Sequence, residues 1–209
     1  MADSSSSGGC MQEEKLIKSP DTERKDRIPP GQRKVDDFPV LHFDGEPSVD
    51  INTWQFRIFG LVGKERKLSF KEFSSLPQVK VFSDIHCVTG WSKLNNYWEG
   101  VSTGEIRKLV TILPAARFVI VHSSDEFFTN IPIAEFFETD VLFAMKYNGN
   151  SLTKEHGYPG RLVVPRLYFW KSAKWVTGIE FVEKDRRGFW ESRGYHNHGD
   201  PWKEERYSG

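Results

Sequence analysis

Two cysteines in 209 residues are too few for a disulfide framework. Cys10 sits in a Ser/Gly-rich leader and Cys87 follows an apolar run, and no Cys-x-x-Cys pair offers a structural zinc site. Neither sign of charge is in excess: 29 Lys plus Arg balance 29 Asp plus Glu. Nucleic acid is therefore not an expected partner, and any anion site has to be a local cluster. No stretch of about 18 apolar residues occurs, so no membrane-spanning helix is expected. Met1 to Gly9 holds neither an apolar core nor twin arginines. No signal peptide is expected, and the reading is a soluble protein of a reducing compartment, the cytoplasm.

Apolar and aromatic residues are plentiful, at 38% and 14%, with 16 Phe and 7 Trp. That is enough for a packed core and excludes global disorder. Residues 1–37 are polar, locally basic and marked by Pro29-Pro30-Gly31, so they read as a flexible or extended arm. Residues 38–209 read as the folded domain. Trp54 to Ile58 alternates as a strand does. Ser69-x-x-Glu72 and Ser102-x-x-Glu105 are capping-box patterns opening helices, the second with Ile106, Leu109, Val110 and Leu113 on one face. Phe118 to Val121 and Trp175 to Val182 read as further strands, and Asn148-Gly149 closes another after Met145. Short strands at irregular spacing with a few short helices predict an α+β fold, mainly antiparallel sheet.

The alternating stretch Val79, Val81 delivers Cys87 to a strand tip, where Thr89-Gly90 opens a loop. Cys87 there is either a small buried hydrophobe or a soft thiolate ligand for a transition metal. His86, one residue earlier, points to the opposite face and reads as structural. The Gly/Pro-rich loop ending in Arg161 puts His156 and Arg161 beside a strand, with Arg161 open to a binding role or to a structural ion pair. Lys171-Ser172-Ala173-Lys174 offers charge and backbone N–H groups of the kind that hold a phosphate. A polar turn at His122 to Asp125 follows a buried strand. His196-Asn197-His198 lacks a third ligand and reads as a surface or packing element.

Taken together, Cys87-Val-Thr-Gly-Trp-Ser92, Gly157-Tyr-Pro-Gly-Arg-Leu-Val-Val-Pro165 and Lys171-Ser-Ala-Lys-Trp175 resemble the sulfite-oxidase-fold molybdopterin oxidoreductases. The Cys-Val-x-x-Trp-Ser form is similar to the catalytic subunit of the periplasmic methionine-sulfoxide reductase and its soluble relatives. The resemblance implies a sulfite oxidase molybdopterin-binding fold and a molybdenum–molybdopterin cofactor. It implies Cys87 as the catalytic thiolate ligand to molybdenum. It further implies His42, Ser123, His156, Arg161, Ser172, Ala173 and Lys174 as cofactor-binding, the last three around the pterin phosphate. Two departures stand out. Thr89, Gly90 and Trp91 replace the polar and cationic groups that sulfite oxidases carry beside the metal, and Phe169 stands where many relatives have Gly. No haem-binding His-Pro-Gly-Gly unit and no nucleotide-binding Gly-rich loop is present, so a separate electron-transfer protein is expected. The expected function is oxygen-atom transfer on a small molecule, reduction of an S-oxide or N-oxide. The alternatives are a sulfite dehydrogenase using the same site, with Lys93, Arg166 or Arg193 forming a cationic pocket, or a non-catalytic pterin-binding module.

Overall fold

The structure, a computed structural model, describes residues 16–41, 43 and 45–208. Two sheets carry the fold. A seven-stranded sheet runs Leu16–Lys18, Gln78–Cys87, Trp91–Ser102, Leu142–Tyr147, Asn150–Ser151. Arg161–Val163 also pairs with Leu142–Tyr147, and Arg33–Val35 with Trp91–Ser102. A five-stranded sheet runs Arg66–Ser69, Gln55–Gly60, Val176–Val182, Phe118–Ser123, Phe128–Pro132. Pairing is mainly antiparallel. The parallel pairs are the two arm strands and Val176–Val182 on Gln55–Gly60.

The middle of the larger sheet packs apolar side chains on both faces. Successive side chains on a strand point to opposite faces. Phe143, Val101 and Leu162 accordingly join one cluster, with Phe56, Phe73, Val119 and Ile179 from the second sheet. Leu142, Ala144, Trp98 and Val163 join the other, with Val81, Tyr168 and Cys87. The cysteine therefore belongs to the outer layer, away from the core between the sheets.

Local signals explain most boundaries. Ser69 and Glu72 form the reciprocal capping box, and the helix Phe70–Ser74 follows. Asn148 and Gly149 both take positive φ, +47° and +81°, as a tight hairpin demands. The second helix is shorter than its apolar spacing predicts. It spans Thr103–Arg107, capped by the Ser102 hydroxyl, while the Glu105 carboxylate bonds Lys108 instead of closing the box. Ile106 is buried on it, whereas Leu113 lies beyond its end and is exposed. The polar turn also shifts: His122 and Ser123 are still strand residues, and the chain turns at 124–126.

The basic arm residues are partly committed. Arg27 makes two bonds to the buried carboxylate of Asp84, at 2.8 and 2.6 Å. Arg24 bonds Asp21 and stacks over Trp202 at 4.0 Å.

Candidate functional site

The hairpin between Gln78–Cys87 and Trp91–Ser102 sets the cysteine. Cys87 is the last ladder residue, paired with Trp91, and the turn closes through the Gly90 amide donating to the Cys87 carbonyl at 3.0 Å. Gly90 has φ +92°, a conformation L side chains rarely adopt. Cys87 is 7% exposed, yet it lines a cleft of about 390 Å³. Its sulfur lies 3.1 Å from the Thr89 hydroxyl. Burial pushes the thiol pKa up, and the Thr89 hydrogen bonds and the charge of Arg206 work against that.

His156, Arg161, Ser172, Ala173 and Lys174 line the same cleft. Arg161 heads the strand Arg161–Val163 and is 2% exposed. Its guanidinium donates to the carbonyls of His156 at 3.0 Å and Ser172 at 2.8 Å. No carboxylate meets it among the described residues, and its Nε is buried without a partner. Aromatic faces surround it instead: Phe169 at 4.2 Å, Phe38 and Trp98 each at 5.7 Å. Phe169, the departure from the glycine of many relatives, thus packs against the guanidinium. Burial lowers the Arg161 pKa to about 9. A charge held this way, fixed by two carbonyls with one donor unpartnered, has hydrogen-bonding capacity for an anion.

Lys174 lies on the same wall. Its ammonium donates to the Leu41 and Glu155 carbonyls, both at 2.9 Å. Burial, then the charge of Arg161, lowers its pKa to about 8. Gly157, at φ +108°, packs against both cations. A Cβ there would lie 3.0 Å from Arg161 Cβ and 3.1 Å from Lys174 Cβ. His156 stacks face to face on Phe38, with centroids 3.9 Å apart. Burial and the Arg161 charge lower its pKa to about 4, so it is neutral at physiological pH.

Ser172 and Ser123 depart from expectation. The Ser172 hydroxyl faces the strand and accepts from the Val164 amide at 3.0 Å, its amide donates to the Phe169 carbonyl at 3.1 Å and its carbonyl accepts from Arg161. Ser123 is not among the cleft residues; its hydroxyl is buried without a partner, while Asp125 reaches the wall. His42 lies outside the described residues. Lys171, three residues before Lys174, is an interior pillar. It contacts Glu191 at 2.6 Å and donates to both oxygens of Asn130. His86 bonds Ser92 on the far face from the cleft. His198 packs between Glu135 and Glu205.

Aromatic rings complete the wall. Trp91, Trp170, Phe189, Trp190 and Tyr195 face the cleft, and Phe43, 66% exposed, stands at its lip. Tyr195 packs edge-on against Trp170 at 5.2 Å and supplies the one phenol of the lining. Burial raises its pKa, with smaller contributions from Tyr207 and Cys87. Sequence reasoning missed this role. The tail has aromatics at irregular spacing, and nothing local separates Tyr195 from its neighbours. Lys93, Arg166 and Arg193 do not line the cleft. Arg166 pairs with Glu138 and Asp140, and Arg193 stacks outside on Phe189 at 3.6 Å.

A soft sulfur ligand, an unpaired buried guanidinium and a neighbouring ammonium fit a metal-bearing group with an anionic tail. The Ala173 backbone lies between the two cations in sequence and lines the same wall. In this arrangement Cys87 would hold the metal, and Arg161, Lys174 and the amides of Ala173 and Lys174 would hold the phosphate.

Comparison with known proteins shows the family. Residues 42–190 match the model of the oxidoreductase molybdopterin binding domain. An uncharacterised oxidoreductase of Bacillus subtilis, YuiH, is 42% identical over 91% of this chain and 97% of its own length. A putative protein-methionine-sulfoxide reductase subunit, YedZ1 of Azospira oryzae, is 27% identical over 76% of this chain and 61% of its own. Among solved structures, the sulfane dehydrogenase SoxCD from Paracoccus pantotrophus shares the fold, with a TM-score of 0.63 at 22% identity. That match covers 68% of this chain and 41% of SoxCD. The chain thus spans nearly all of one relative and less than two thirds of the others named. It belongs to the molybdopterin-binding oxidoreductases of the sulfite oxidase fold.

Proposed function

We propose that this oxidoreductase reduces an S-oxide or N-oxide of a small, uncharged molecule by oxygen-atom transfer, with electrons from a separate protein. The carrying observation is the composition of the cleft. Its two cations, Arg161 and Lys174, are those suited to the cofactor phosphate, and the rest of the wall is largely aromatic. Such a wall favours a neutral substrate over an anion such as sulfite. The cofactor supplies the two-electron oxygen-transfer chemistry when bound.

The chain's residues have distinct parts. Cys87, fixed at the end of a ladder, would give the metal a thiolate of set direction. Trp91 and Trp190 exclude water and hold the apolar portion of the substrate. Reducing an S-oxide to a sulfide and water consumes two electrons and two protons, so a proton donor is needed beside the reacting oxygen. We assign that part to Tyr195, whose phenol, protonated at neutral pH, belongs to the cleft lining. The cytoplasm is the proposed compartment, supported by the scarcity of cysteine; fractionation that finds the protein outside the cytoplasm would overturn it.

Steady-state assays of the loaded enzyme with methyl sulfoxides and with sulfite test the function. Turnover of the sulfoxides, abolished in Cys87→Ser with the fold intact, is the expected result. Turnover of sulfite alone, or full activity in a metal-loaded Cys87→Ser variant, contradicts the proposal.

A further inference from the structure

The turn that carries Cys87 is held by residues on both sides of the stretch that matches the family model, 42–190. From the arm, Gln32 Nε2 donates to the Cys87 carbonyl at 3.1 Å. The next residue, Arg33, donates its amide to the Gly90 carbonyl at 2.9 Å. From the tail, Arg206 Nη1 donates to the Val88 carbonyl at 2.6 Å. The same guanidinium reaches the arm, where Nη2 donates to the carbonyls of Pro30 and Gly31, both at 3.2 Å. Gly31, at φ +64°, leaves the space for this. A Cβ there would stand 2.8 Å from Nη2.

The Cys87 carbonyl accepts the Gly90 amide within the turn and takes Gln32 as a second donor, while the Val88 and Gly90 carbonyls take their donors from outside it. Here the donors come from two segments remote in sequence, and Arg206 links them to each other and to the turn. A planar guanidinium with several fixed donors suits this task, and bonds from a charged donor are the stronger kind.

We propose that Arg206 and Gln32 are positioning residues for the Cys87 turn, fixing its backbone and through it the direction in which the sulfur is presented. The consequence for turnover rests on Cys87 being the metal thiolate; the pinning itself is a property of the polypeptide.

The test uses the full chain, cofactor-free and loaded, in a Cys10→Ser background, with Arg206→Met, Arg206→Lys and Gln32→Met. In the cofactor-free protein, amide exchange across residues 87–91 and the rate of Cys87 labelling by an aromatic disulfide reagent are measured. Arg206→Met is expected to speed both about tenfold while exchange in the strands of the five-stranded sheet is unchanged. Arg206→Lys, which keeps one point donor, is expected to fall between. In the loaded enzyme, the Mo(V) paramagnetic spectrum is expected to change, with kcat reduced and KM held. Should Arg206→Met fail to fold, Gln32→Met carries the same readouts. Exchange and labelling at wild-type rates in the folded variants overturn the pinning. A loosened turn with unaltered spectrum and kcat overturns its role in presenting the sulfur. A wild-type protein that binds no molybdenum fails the proposed function, and the exchange data then judge the pinning separately.

Discussion

The guanidinium carbon of Arg161 lies 4.2 Å from the centre of the Phe169 ring, and its two hydrogen bonds go to carbonyl groups. A buried cation in this state destabilises the cofactor-free protein and is neutralised when an anion binds. Arg161→Met is therefore expected to stabilise the cofactor-free chain, by about 1–4 kcal/mol, because an apolar side chain of similar volume replaces an unpaired buried charge. The same variant is expected to lose the cofactor. Denaturant unfolding and molybdenum content, measured on the same preparations, check both halves.

Cofactor retention should depend on alkaline pH. Lys174 has a folded pKa of about 8 and Arg161 of about 9, both lowered chiefly by burial. Phosphate binding favours their cationic forms, so affinity should be level below about 8 and fall above it. In the cofactor-free protein the sign is opposite. The unfolded chain binds more protons than the folded one between pH 8 and 10.5, so stability rises over that window. Release of cofactor as a function of pH, in wild type and Lys174→Gln, reads this. The limb near 8 should vanish in the variant.

Acid should weaken the fold through His86. This ring is fully buried, bonded to Ser92, and its pKa is lowered to about 4 mainly by burial. A histidine with a depressed folded pKa binds fewer protons folded than unfolded. Stability is therefore lost as pH falls from 6.5 towards 4, by on the order of 3 kcal/mol once both values are crossed. His198, raised chiefly by its bond to Glu135, contributes in the opposite direction. Unfolding midpoints from pH 7 to 4 in wild type and His86→Gln separate the two. The variant should show a shallower acid limb.

Lys171 and Glu191 form a buried ion pair at 2.6 Å, and Glu191 also accepts from Trp170 and Thr129. Removing one partner strands a buried charge. Lys171→Met should cost about 3–5 kcal/mol, and adding Glu191→Gln should recover part of it. Chemical denaturation of the single and double variants measures the coupling. Additive losses would show that the pair is not energetically linked.

That Cys87, His156, Arg161 and the 172–174 segment share one cleft agrees with the sequence reading. Cys87 at a strand tip followed from alternation ended by Gly90, and Arg161 from its place between a Gly/Pro loop and an apolar run. What local patterns could not separate were residues of the same type. Lys171 and Lys174 are three apart, yet one props the interior and the other reaches the cleft, because the short helical turn Phe169–Lys171 sends them to different sides. Ser123 carries a ligand role only through the family resemblance, and the strand Phe118–Ser123 runs on to include it. The arm strands Leu16–Lys18 and Arg33–Val35 have three residues each, and tertiary pairing places them where periodicity has nothing to report.

The most direct test of the central claim, that the cleft beside Cys87 holds molybdopterin through Arg161, is elemental analysis of the full chain purified from molybdate-replete cells. About one molybdenum per chain in the wild type and almost none in Arg161→Met is the expected result. A well-folded wild-type protein without molybdenum, or an Arg161→Met variant that retains a full complement, would contradict it.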